Sequence, residues 1–302
     1  MRFGGHETFP IREGWLHKGL KLLIEQPERL IDEFVADYLG VGRNMAKSIK
    51  HWLVATGLAQ QSYDQKNIRL QKTDIGQLIY GMDPYFSDIN TWWALHINLI
   101  NNPNHAASWH WFFNNFNQIR FERAVCIEGL RRHLQLSNMT MPSIKTLQRD
   151  LSCLLSSYSK KIPMEREKPE EALDSPFIEL GLITHFRSSG YYQINQGPKE
   201  IPLQLFGYAL SKALSKLYGE AEKIEITVRE ATQQSGGPGR AFVLNNESLF
   251  EVLLKLEGLG TGDDIQIIGL AGERLIRIKQ RDPIEWLQHY YQDIEYRSRY
   301  AA

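Results

Sequence analysis

The chain is short of cysteine: Cys126 and Cys153 are its only two in 302 residues. Two thiols cannot supply a cysteine-only zinc site or a disulfide framework, so both are expected reduced, in a cytoplasmic protein. Long apolar runs are missing as well. Met1 to Phe9 carries one Arg and no apolar stretch, so neither a secretory signal nor a membrane span is expected, and no membrane partner. Net charge is absent too, with 35 Lys and Arg against 35 Asp and Glu. That balance excludes a uniformly basic, histone-like chain but leaves room for local patches. No PD-(D/E)xK or HNH pattern is present. SGGPGR at 235–240 shares only its glycines with a phosphate loop, lacking the GKS or GKT ending and the strand-to-helix context. His96, His105 and His110 have no acid or cysteine at metal-like spacing, which argues against zinc and leaves them as polar decoration.

What is present is enough to fold. Hydrophobic residues make up 42% and aromatics 11%, so a wholly disordered chain is excluded. The length suits two or three domains. The fold class expected is mainly α (α+β), a multi-module protein resembling winged helix-turn-helix units with small β-hairpin wings. The modules expected are 1–85, 86–200 with its aromatic-rich helices, and a helical and hairpin region at 201–302.

In the first third, Gly4, Gly5 and Pro10 mark a loop or short strand. Trp15, Leu16, Gly19, Leu22 and Leu23 then recur at helical spacing, and a second helix is read through Leu30, Ile31, Phe34, Val35 and Tyr38. Gly40 and Gly42 make a tight turn. From Arg43 the apolar side is Met45, Ile49, Trp52 and Leu53, while Arg43, Lys47 and Lys50 fall on another side. Gly57 stops this helix, and 58–72 reads as two short strands joined near Asp64. Helix, glycine turn, basic helix and hairpin is the pattern of a DNA-reading helix-turn-helix. Residues 39–72 hold six Lys or Arg against one acid, which suits phosphate contact. Arg43, Asn44, Lys47, Lys50 and Arg69 are the DNA-contact candidates, with Asn44 placed to read an adenine edge if it points outward. A winged helix that binds protein instead is the other reading.

The middle repeats the theme. Trp92, Trp93, Trp109, Trp111, Phe112, Phe113 and Phe116 are a stacking surface for single strands or, as preferred, helix packing. Ser143 can cap a helix whose stripe is Leu147, Leu151, Leu154 and Leu155, with Lys145 and Arg149 pointing elsewhere. Residues 118–168 carry ten Lys or Arg against five acids, so Lys145 and Arg149 join the DNA-contact candidates. KKIPMEREKPEEALDSP at 160–176 is a charged linker or long wing. Beyond it, 201–214 reads as an amphipathic helix, 223–228 as a strand, 248–257 as a helix, 265–279 as a hairpin, and 286–296 as a final helix.

At GHETFPIREGWLHKG and LGVGRNMAKSIKHWL the chain resembles a bacterial family, DUF4007. His6, Glu7, Thr8 and Phe9 match its opening motif; Trp15, Leu16, Lys18 and Gly19 match the next block; Leu39, Gly40, Val41, Gly42, Asn44, Met45, Ile49, Trp52 and Leu53 match the third. The resemblance implies a part in DNA phosphorothioation, where sulfur replaces a non-bridging phosphate oxygen, and in phage defence. Partners implied are DNA, the phosphorothioation ATPase, a cysteine desulfurase and the adenylating sulfurtransferase component. It also implies nicking of DNA, or preparation of its backbone for sulfur.

A nickase needs an activated nucleophile and stabilised phosphate charge. Clustered carboxylates on Mg²⁺ or Mn²⁺ can supply this, as can His, Tyr or Lys with cations. No tightly bound cofactor is expected, with Mg²⁺ or Mn²⁺ required only if the chain nicks. The catalytic candidates are His6 as base, Glu7, and Arg12 as a phosphate clamp. The competing reading is that Glu7 and Thr8 cap or bridge the N-terminal segment. Asp263, Asp264 and Glu273 form a second acidic group, better explained as a surface turn. A DNA-delivering adaptor, a winged-helix regulator and a protein scaffold are the other functions the sequence allows.

Overall fold

The computed structural model describes residues 1–64, 67–162, 175–218, 223–258, 265–270, 273–279 and 281–300. It is an α+β protein, mostly helical with small sheets, in two compact units, Met1–Asn195 and Gln196–Ala302. Residues 1–85 and 86–195 both lie in the first unit.

The first unit opens with an irregular segment leading into α1 (Trp15–Glu25), whose buried Trp15, Leu16, Gly19, Leu20 and Leu23 follow the helical period. A 3-10 turn, Pro27–Leu30, and a short α2, Val35–Leu39, come next. Here the single helix expected through Leu30 to Tyr38 is broken. The Asp32 carboxylate accepts the Phe34 N–H at 2.8 Å, giving the backbone a local alternative to helix. Ile31, Phe34 and Tyr38 are left 52%, 54% and 43% exposed. Gly40 takes φ 63°, the left-handed conformation that closes the turn into α3 (Arg43–Ala55). α1 lies close on α3: a Cβ at Gly19 would sit 2.6 Å from Ile49 Cγ2. Strands β1 (Ala59–Asp64) and β2 (Asn67–Lys72) pair antiparallel, Asp64 opposite Asn67. α4 (Asp74–Met82) follows, capped by the Thr73 side chain, which accepts the Gly76 N–H.

α5 (Ile89–Ile100) is buried from Thr91 through Ile100, as a helix surrounded by other elements must be. α6 (Ala107–Asn115) is nearly as enclosed. All seven aromatic side chains from Trp92 to Phe116 singled out in the sequence are less than a tenth exposed, so this region is packing and not an open stacking surface. Two of the three histidines read as decoration are pins: His96 is fully buried with Nδ1 2.8 Å from the Tyr158 hydroxyl, and His110 Nδ1 lies 2.6 Å from the Ile100 carbonyl. β3 (Arg120–Phe121), α7 (Arg123–Leu136) and α8 (Ile144–Tyr158) follow, with Ser143 capping α8 by accepting the Thr146 N–H. β4 (Ser159–Ile162), β5 (Ile183–Phe186) and β6 (Tyr191–Ile194) complete a sheet in the order β3-β6-β5-β4. β4 and β5 run parallel; the other pairs are antiparallel. The linker at 160–176 lies largely outside the described residues. Cys126 and Cys153 are buried free thiols, and burial raises both pKa values.

The second unit holds α9 (Leu203–Tyr218), β7 (Lys223–Thr227), α10 (Val228–Gln233), α11 (Pro238–Ala241), α12 (Asn246–Gly258), β8 (Ile265–Leu270), β9 (Glu273–Lys279) and α13 (Pro283–Tyr300). Its sheet order is β7-β9-β8, antiparallel throughout. α9 meets α13 closely at Gly207, where a Cβ would lie 2.5 Å from the Trp286 ring. Trp286 Nε1–H donates to Ser211 Oγ at 2.9 Å. Among the described residues no helix is long and apolar enough to cross a membrane.

Candidate functional site

The segment from Gly4 to Phe9 is held between α3 and α8. His6 is 1% exposed. Its Nδ1 accepts the Thr8 N–H at 3.0 Å, so the proton sits on Nε2, 3.0 Å from Asp150 Oδ1 on α8. The same oxygen accepts the Gly4 N–H at 2.8 Å, and Oδ2 accepts the Ser108 hydroxyl at 2.9 Å. Asp150, itself 1% exposed, is therefore a hub for three donors, as a buried carboxylate requires. On the other side Trp52 Nε1–H, from α3, donates to the Phe9 carbonyl at 3.0 Å. The His6 ring stacks on Trp52 and meets Trp109 edge-on. Gly5 packs tightly, since a Cβ there would lie 2.4 Å from His51 Nδ1. Glu7 and Thr8 both take positive φ, 50° and 71°, a conformation costly for non-glycine residues and maintained by these surrounding contacts.

This geometry separates the three catalytic candidates. His6 has both ring nitrogens engaged in the interior, so in this arrangement it is not an exposed base. Arg12 lies against Phe9 and Trp15, its guanidinium carbon 5.7 Å and 5.4 Å from the ring centres. Glu7 lines a cleft beside the loop. The loop is anchored on α3 and α8 through Gly4, His6 and Phe9.

Two clefts flank the loop. The first, about 310 Å³, lies on the α3 side and brings Glu7 together with Arg2, Lys47, Lys50 and His51. The second, about 450 Å³, lies on the α8 side and joins Thr8 to Arg123, Lys145, Arg149 and Ser152. Consecutive residues of one strained turn thus face two basic surfaces. Arg43, Asn44 and Lys47 are exposed on α3, and Lys145 and Arg149 on α8. Lys50 is half-buried, its Nζ donating to the Leu30 carbonyl at 3.3 Å; burial and then the neighbouring Lys47 lower its pKa. Arg69 is exposed on β2. His51 is held neutral, its pKa pushed down to about 3 by burial and then by His6, Arg2 and His105. Its buried Nδ1 has no hydrogen-bond partner.

Sequence reasoning did not single out Arg2, His51, Arg123 or Asp150. Arg123 contributed only to the regional excess of base, and Asp150 meets His6 across 144 residues, which local spacing does not register. Asp263 and Asp264 lie outside the described residues; Glu273 begins β9, paired in register with Leu270.

The donor set does not fit a divalent cation. Glu7 is the one carboxylate lining these two clefts, amid cations, and the Asp150 oxygens are already committed to donors. Among the described residues no group of three or more His, Cys, Asp or Glu is arranged to hold a metal.

A family model described as a protein of unknown function, DUF4007, matches residues 3–291. A crystal structure of SspB is similar, with a TM-score of 0.84 and 25% identity over 97% of this chain and 88% of that one. A magnesium ion-bound SspB crystal structure gives a TM-score of 0.83 at the same identity and coverage. No curated protein matches.

Proposed function

The chain belongs to the DUF4007 family, and from that premise we propose that it is the DNA-binding component of a bacterial phosphorothioation and phage-defence system. The observation carrying this reading is the placement of α3 and α8 on either side of one pinned loop, each with cations around it. Lys and Arg so arranged suit phosphates, which position a duplex without reading its sequence. Two features support winged-helix character. In one, α2, the Gly40 turn and α3 lead into the β1–β2 hairpin. In the other, β3, α7 and α8 precede the β5–β6 pair, with β3 joining β6. The SspB likeness and the resemblance of the opening motifs support the phosphorothioation setting; the ATPase and adenylating partners are what that resemblance implies.

Within this reading the protein presents the DNA backbone to the sulfur-transfer machinery as an adaptor. Strand nicking is the second reading, and one observation favours it: Glu7 shares a cleft with Arg2, Lys47 and Lys50, a carboxylate beside groups able to balance phosphate charge. The test is a supercoiled-plasmid assay with and without Mg²⁺ or Mn²⁺, run beside a gel shift. Binding with intact plasmid supports the adaptor. Open circles formed by wild type and lost in Glu7→Gln support the nickase. No shift at low salt overturns both.

A further inference from the structure

The α3-side cleft is lined by residues of two kinds, the cations Arg2, Lys47 and Lys50 and the apolar side chains Ile31 and Leu70. Ile31 is 52% exposed although it stands beside the fully buried Leu30. His51 also lines the cleft, 8% exposed and without charge at neutral pH. A bare phosphate would use the cations and leave the apolar side chains wet. A flat ring carrying a phosphate would use both kinds, and the volume of about 310 Å³ lies in the range of small-ligand pockets. Glu7 at the same cleft disfavours a dianion unless the three cations offset it, and it can accept from an exocyclic amine or a sugar hydroxyl.

We propose that this cleft takes one unstacked nucleotide of a DNA strand, its phosphate on Arg2, Lys47 and Lys50 and its base against Ile31 and Leu70. The proposal rests on the DNA-binding reading and narrows it from a surface to a nucleotide pocket. A base leaving the stack requires an apolar or aromatic receiving wall, which a site for duplex phosphates alone does not.

The test is calorimetric titration of the full chain with thymidine 5′-monophosphate, thymidine and inorganic phosphate, alongside duplex binding by anisotropy. The monophosphate is expected to bind at least tenfold more tightly than either fragment. Lys47→Gln should weaken it about tenfold, and Ile31→Ser, at an exposed position, should weaken it several-fold while leaving phosphate binding unchanged. Equal affinity for monophosphate and inorganic phosphate, with duplex binding intact, would overturn the nucleotide pocket and leave the DNA-binding reading standing. Tight monophosphate binding without duplex binding would overturn both the DNA-binding reading and a DNA strand as the occupant, leaving a site for a free nucleotide. A wild-type monophosphate affinity unmoved by Ile31→Ser and Lys47→Gln, both folded by circular dichroism, would place the ligand elsewhere and overturn the proposal.

Discussion

At the scale of single residues, Asp150 organises the site without touching solvent. It receives Gly4 N–H, His6 Nε2–H and Ser108 O–H, so Asp150→Ala strands three buried donors. Each lost acceptor costs about 1–3 kcal/mol, and a total loss of about 3 kcal/mol or more is expected in urea unfolding. A loss below about 1 kcal/mol would show that the loop does not depend on this hub. His51 gives a second prediction. Its folded pKa is lowered from 6.5 to about 3, so the unfolded chain takes up a proton first as pH falls. The stability it contributes is therefore complete above about pH 6.5 and is lost as pH drops toward 3, by at most about 5 kcal/mol. Arg2, His6 and His105 face the same ring, and the lowered pKa of His105 acts in the same direction. Melting temperature should fall between pH 6.5 and 4, with a smaller fall in His51→Gln. Identical profiles for the two proteins would refute the assignment. The split between what the sequence disclosed and what it hid is clear at this scale. The exposure of Arg43, Asn44 and Lys47 follows from the helical period, which is a local property. The burial of His6 follows from a partner 144 residues away, which no local pattern carries.

At the scale of elements, α3 and α8 are alike in design: each buries an apolar stripe and turns cations outward. Their boundaries were legible because glycine stops α3, Ser143 caps α8, and both stripes repeat at helical spacing. The β1–β2 hairpin was legible at Asp64 for the same local reasons. The interrupted helix before α2 was not, because Asp32 competes for the Phe34 N–H while the apolar period continues through it. Nor was the parallel pairing of β4 with β5, strands that lie well apart in the chain. Gly19 tests the packing of α1 on α3. A Cβ there would meet Ile49 Cγ2 at 2.6 Å and Leu53 Cδ1 at 3.1 Å, so Gly19→Ala should destabilise by about 1–3 kcal/mol despite alanine's better helix propensity. A stabilised Gly19→Ala protein would mean that the two helices lie further apart.

At the scale of the molecule, charge neutrality conceals a partition. The chain sums to zero, yet both basic clefts belong to the first compact unit. DNA affinity should therefore respond to substitutions on α3 and α8 through salt-dependent contacts, each phosphate contact adding about one to the slope of log K against log salt. Composition could not locate these clefts; only folding brings 43–50 and 145–149 to opposite sides of Gly4–Phe9. The most direct measurement is duplex-DNA anisotropy across a salt series for wild type, Lys47→Glu, and Lys145→Glu/Arg149→Glu, each checked for folding. The account predicts weaker binding and a shallower salt slope for both variants, by about one unit for the first and about two for the second. Wild-type binding that neither variant changes, or no binding at low salt, would contradict it.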